Sequence, residues 1–128
     1  MHELSIARML LSLIDAHTPE GATVLSVQVS AGPLQAIDPD AMRFAWRAAT
    51  QGERHEGAVL ELTRLPWRLR CATCARIFES DCWPAVCACG SEQTQPEGGD
   101  ALRLESMEIE DSGVDAGIEP TEVGSVRL

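Results

Sequence analysis

Five cysteines stand between Cys71 and Cys89, and there are none elsewhere in the chain. An odd number of clustered thiols cannot be fully paired as disulfides. Cys71-Ala72-Thr73-Cys74 is followed, after twelve residues, by Cys87-Ala88-Cys89-Gly90, with Cys82 between them. Two close thiolate pairs separated by a loop are the sequence form of a tetrahedral zinc site. Its Zn–S bonds of about 2.3 Å staple a segment too small to build its own core. Four thiolates leave about two negative charges on such a site, and Arg64, Arg68, Arg70 and Arg76 stand close enough in sequence to offset them. A redox Cys-x-x-Cys motif opens a helix after a strand, and no long helical pattern follows Cys74. A closed four-sulfur site also leaves no open position for catalysis. Cys71 and Cys74 supply the first pair, and Cys89 carries the glycine usual after a last ligand. The fourth ligand is read as Cys87, but its one-residue gap to Cys89 is tight, so Cys82 stays open as a substitute.

Around this cluster lies an ordinary amount of apolar sequence. With 128 residues and 45% hydrophobic content the chain can bury one core, with room for a small satellite. Twenty carboxylates against ten basic residues, all arginine, give a net charge of -10. That balance disfavours nucleic acid and an anionic membrane as partners. The start, Met1-His2-Glu3-Leu4, lacks the basic region of a secretory leader, and no stretch approaches the length of a membrane span. A cytoplasmic location is expected, where thiols hold metal more often than they pair.

The remaining pattern predicts a small α/β layer. Leu4, Ala7, Leu10, Leu11 and Ile14 recur at helical steps up to about His17. Leu25, Val27 and Val29 alternate as a half-buried strand. Asp38-Pro39 is a helix start, with Met42, Ala45, Trp46 and Ala49 sharing a face and Gly52 beyond its end. Ala58 to Leu65 alternates again. Leu102 to Ile109 is strand-like, but Leu102 and Leu104 are out of phase with Met107 and Ile109. A bulge near Glu105-Ser106 would restore a common face. The expected architecture is α/β (α+β): two helices on a three-stranded sheet, with an inserted small zinc-ribbon or rubredoxin-like zinc domain. Residues 1–66, completed by strand 101–110, form the first domain, and 67–100 the zinc-binding domain, in which little periodicity and a polar turn at 93–100 are read. Residues 111–128 form an acidic tail, expected to be disordered.

A second candidate site is Met1-His2-Glu3. An α-amine, backbone nitrogens and the His2 imidazole can share a plane, a donor set that suits Ni(II) or Cu(II) rather than zinc. His17 and His55, at a helix end and in a loop, are read as structural. No phosphate loop, catalytic triad or paired-carboxylate site stands out, so no enzyme is expected.

These pieces together resemble one family. Residues 1–7 (MHELSIA), residues 37–46 (IDPDAMRFAW), Glu56-Gly57-Ala58 before the second strand, and the Cys-x-x-Cys segment after Pro66 are similar to the HypA/HybF nickel metallochaperones of hydrogenase maturation. The likeness runs from Met1 to about Glu110. It implies a nickel site made of the Met1 amine, the backbone nitrogens of His2 and Glu3 and the His2 imidazole, with Glu3 hydrogen bonding or meeting a partner. It also implies a structural zinc site and Ni(II) as transported cargo. Delivery would be to a [NiFe]-hydrogenase large-subunit precursor, in concert with a maturation GTPase; some relatives serve urease, and a homodimer is compatible with all this. The second cysteine pair departs from the family's usual Cys-x-x-Cys-Gly. The rival reading is a zinc-ribbon interaction or regulatory module with no nickel role, in which replacing His2 changes nothing.

Overall fold

A computed structural model describes residues 2–111, 119–121 and 126–127. The chain opens with helix α1 (His2–His17), whose Ile6, Ala7, Leu10 and Ile14 are buried at three- and four-residue steps. Leu4 and Leu11 lie half-buried at the margin of that stripe. The helix stops where Thr18 turns its hydroxyl back to the Ile14 carbonyl and Pro19 follows. Strand β1 (Ala22–Ala31) leads to a short 3-10 turn at Pro33–Gln35 and then to helix α2 (Pro39–Thr50). The Asp38 carboxylate accepts the Asp40 N–H at 3.0 Å, and Pro39 occupies the first turn, where a missing N–H costs nothing.

Strand β2 (Val59–Arg64) pairs in parallel with β1, and β6 (Leu102–Asp111) pairs with the other side of β1, antiparallel. Two bulges set which side chains meet. Val24 faces Ile109 and Ser26 faces Glu108, so Leu25 is the extra residue on β1. Gln28 faces Ser106 and Val29 faces Leu104, so Glu105 is the extra residue on β6. Each bulge changes the parity of its strand once. Val24, Val27, Val29 and Ala31 therefore share one face with Leu102, Leu104 and Met107, and all seven are buried. Both helices contribute their apolar stripes to this one core. The Trp46 indole N–H donates to the Ala58 carbonyl at 2.8 Å, tying α2 to the start of β2. The opposite face is polar, with Ser30 donating to Glu105 at 2.7 Å and Ser106 to Gln28 at 2.8 Å.

The body of this sheet is the three strands expected from the pattern, in the order β2-β1-β6. Two short strands, β7 (Glu119–Thr121) and β8 (Val126–Arg127), add to β6. They fall in the segment expected to be a disordered tail, and there the backbone is paired; the rest of that segment lies outside the described residues. Ala31 at the end of β1 is partnered by Arg64 on one side and Leu102 on the other. Everything from Leu65 to Ala101 thus leaves and rejoins the sheet at one end of β1.

That excursion carries a second sheet. Strands β3 (Trp67–Cys71), β4 (Ile77–Ser80) and β5 (Thr94–Pro96) pair antiparallel in the order β4-β3-β5. The polar turn read at 93–100 thus contains a strand, β5, paired to β3. Arg70 spans to Glu97 through two hydrogen bonds of 3.0 and 3.2 Å, which holds the Glu97 carboxyl below the usual carboxylate range.

Candidate metal centres

β3 delivers Cys71 to a turn in which the Ala75 N–H bonds to the Cys71 carbonyl at 3.0 Å. Ala75 takes a left-handed conformation, φ 65°, to close it. The turn aims backbone donors at sulfur, with the Thr73 N–H 3.4 Å from Cys71 Sγ. The second turn closes through the Gly90 N–H to the Cys87 carbonyl, 2.8 Å, with Gly90 at φ 92°, where a side chain would be strained. Trp83, Thr94 and Ala85 fasten the intervening loop to β5. The Trp83 indole donates to the Thr94 carbonyl at 3.2 Å, and the Thr94 hydroxyl donates to the Ala85 carbonyl at 2.9 Å.

These two turns bring Cys71, Cys74, Cys87 and Cys89 together, with all four sulfurs within 4.8 Å of one another. Cys71 and Cys89 are 3.7 Å apart, and Cys74 and Cys87 are 3.6 Å apart. A regular tetrahedron of sulfurs around zinc has edges of about 3.8 Å, given Zn–S bonds near 2.3 Å. The cluster therefore fits a structural zinc site. Cys82 is not part of it: its sulfur is exposed and 3.9 Å from the Ser80 hydroxyl and the Pro84 carbonyl. Among the described residues no other group of three or more His, Cys, Asp and Glu side chains converges in this way.

The sulfurs are electrostatically unequal. The Cys74 N–H pointing at Cys71, helped by Thr73 and the neighbouring thiols, pushes the Cys71 thiol down to about 6. Cys89 also receives a backbone donor, from Ser91, but the neighbouring Cys71 thiol, burial and the other sulfurs outweigh it and push Cys89 up to about 11. The surroundings thus favour the thiolate at Cys71 and disfavour it at Cys89, and a bound cation would offset the repulsion among four thiolates.

The other sequence-derived site sits at the opposite end of the chain. Met1 lies outside the described residues. His2 is the first residue of α1, exposed, with Nε2 2.6 Å from the Gln35 carbonyl oxygen. A Glu3 carboxylate oxygen accepts the Asp38 N–H at 3.3 Å. As the first residues of a helix, His2 and Glu3 have amide groups with no intrahelical acceptor. His17 is at the far end of α1, about 22 Å away at 1.5 Å per residue, and its Nδ1 bonds to the Leu13 carbonyl at 2.9 Å. His55 is buried, with Nε2 3.2 Å from Asp15. Arg54 and His55 together hold the Asp15 carboxyl below its ordinary value. Among the described residues neither histidine belongs to a group of three or more converging metal-ligating side chains.

The sequence matches the family model for hydrogenase/urease nickel incorporation, metallochaperone HypA, over residues 1–109. The chain belongs to the HypA family. HypA proteins are metallochaperones, so the chain is a carrier and not a catalyst. Hydrogenase maturation factor HypA of Nostoc punctiforme is 37% identical over 111 residues, covering 87% of this chain and 97% of the relative. HypA of Dechloromonas aromatica is 34% identical over 113 residues, covering 86% and 100%. The solution structure of the Ni metallochaperone HypA from Helicobacter pylori superposes with a TM-score of 0.60 at 25% identity, over 88% of this chain and all of that one. The family match ends within β6, leaving residues 110–128 outside it. No helix among the described residues is long and apolar enough to cross a membrane.

Proposed function

We propose that this HypA protein carries Ni(II) at its N-terminus and delivers it to a [NiFe]-hydrogenase large-subunit precursor in the cytoplasm, in concert with a maturation GTPase. Cys71, Cys74, Cys87 and Cys89 hold the structural zinc. Met1, through its amine, and His2 and Glu3, through backbone nitrogens and the His2 imidazole, hold the nickel. The observation that supports the reading most directly is the placement of His2. It is exposed, it heads α1, and its Nε2 is already engaged by Gln35. Nδ1 is the ring nitrogen left for a metal, and a metal at the neighbouring amides breaks no helical hydrogen bond.

Ligand atoms at a chain end also suit a carrier. One side of a planar Ni(II) site stays open, so a recipient can displace the ligands one at a time. Binding displaces protons from the amine, from a protonated imidazole and from the two backbone amides that become ligands, so affinity falls as the pH drops. The test is Ni(II) titration of the chain beginning at Met1 beside one with residues added before Met1. The first is expected to bind one Ni(II) and the second to lose that binding. Equal binding by both would remove the N-terminus from the site.

A further inference from the structure

We propose that Gln35 is a positioning residue for the nickel site, its carbonyl fixing the His2 ring so that Nδ1 is the nitrogen left for the metal. This rests on the N-terminal reading above and adds to it the group that prepares the ligand.

A carbonyl oxygen only accepts, so the 2.6 Å contact to Gln35 requires the hydrogen of His2 to be on Nε2. In a neutral ring the lone pair is then on Nδ1. This nitrogen is also the one that can close a six-membered chelate ring with the backbone nitrogen of the same residue. A ligating histidine whose second ring nitrogen donates to a carbonyl is held in both tautomer and orientation.

The carbonyl is itself held. The Gln35 side-chain amide donates to the Asp100 carbonyl at 2.6 Å. On either side of it, the Leu34 N–H donates to Gly99 at 2.8 Å and the Gly32 N–H to Ala101 at 2.7 Å. Three consecutive carbonyls thus anchor one short strap. A Cβ at Gly32 would collide with the Gly99 carbonyl, so the two segments approach as closely as backbones can. Ala36 closes the strap at φ 51°, a conformation an alanine keeps only where its surroundings over-determine it. Of these anchors the Gln35 amide is the one made by a side chain, so it can be removed without touching the backbone.

The experiment compares the wild type, Gln35→Met, which keeps the reach and loses the donor, and His2→Ala. Two quantities are read: the Ni(II) dissociation constant, and the ring ¹⁵N shifts of His2 in metal-free protein, which report the share of each tautomer. Gln35→Met keeps the carbonyl and loosens its anchor, and is expected to weaken nickel binding severalfold, less than the roughly tenfold or more that outright loss of a ligating histidine's partner costs. Its His2 shifts are expected to move from a single Nε2–H form toward the mixture of a free imidazole. Unchanged affinity or unmoved shifts in Gln35→Met, with binding lost in His2→Ala, would overturn the positioning role and leave the N-terminal site standing. Wild-type binding by His2→Ala would overturn both.

Discussion

Cys82 and Cys87 show how much depends on single positions. Spacing alone left either able to complete the zinc site, because a one-residue gap to Cys89 is tight but not forbidden. The fold separates them. Cys87 is buried beside Cys74, while Cys82 is exposed beside Ser80 and Pro84. Cys82→Ser is therefore expected to retain one zinc per chain and Cys87→Ser to lose it, as read by metal analysis after dialysis. Loss of zinc in the first with retention in the second would reverse the assignment. His2 was legible as a candidate from its position in the chain, but the partner that orients it was not. Gln35 lies 33 residues away, and nothing in its neighbourhood distinguishes it from a surface glutamine. The partnership of Asp15 with Arg54 and His55 was hidden for the same reason, since it exists only once α1 and the loop after α2 are packed.

At the scale of elements, legibility followed periodicity. Both helices and the strands β1, β2 and β6 of the larger sheet were readable because each has a face packed on the core with a regular step. The Glu105 bulge was readable too, since Leu102 and Leu104 could share a core with Met107 only if the strand changed parity between them. Its counterpart at Leu25 was not, because the apolar run Val24-Leu25 satisfies either parity. Strand β3 was missed although Trp67, Leu69 and Cys71 alternate with Arg68 and Arg70; a cysteine counted as a ligand was not counted as a buried residue. β4 and β5 carry weaker signals, because what sets them is pairing to β3. The start of α2 was explicit in Asp38-Pro39. Asp38→Ala removes the bond to the Asp40 N–H and is expected to cost about 1 kcal/mol, measured as a lower urea midpoint with an unchanged slope. The Asp38 N–H that meets Glu3 survives the substitution, so nickel binding should change little.

Across the whole molecule, stability is unevenly shared. The larger sheet and its helices rest on a continuous apolar core, while the 67–96 excursion buries little beyond Leu69, Cys71, Cys87 and Thr94. A unit that small depends on its metal for structure. Its tryptophans make this measurable, since Trp67 and Trp83 lie there with ring centroids 5.5 Å apart and Trp46 sits in the main core. A strong chelator is expected to red-shift the Trp67 and Trp83 emission and leave the helical far-ultraviolet signal nearly intact. Simultaneous loss of both signals would mean that the main core also depends on zinc. The shared register at Ala31 carries a last consequence. Arg64 and Leu102 flank it on either side, so the ends of the excursion are two strand spacings, about 9.6 Å, apart. About three or four residues span that gap. The metal-holding segment is thus a cassette: with the Gly99–Ala101 carbonyls that hold the Gln35 strap kept, it can be shortened, lengthened or exchanged without moving one rung of the ladder.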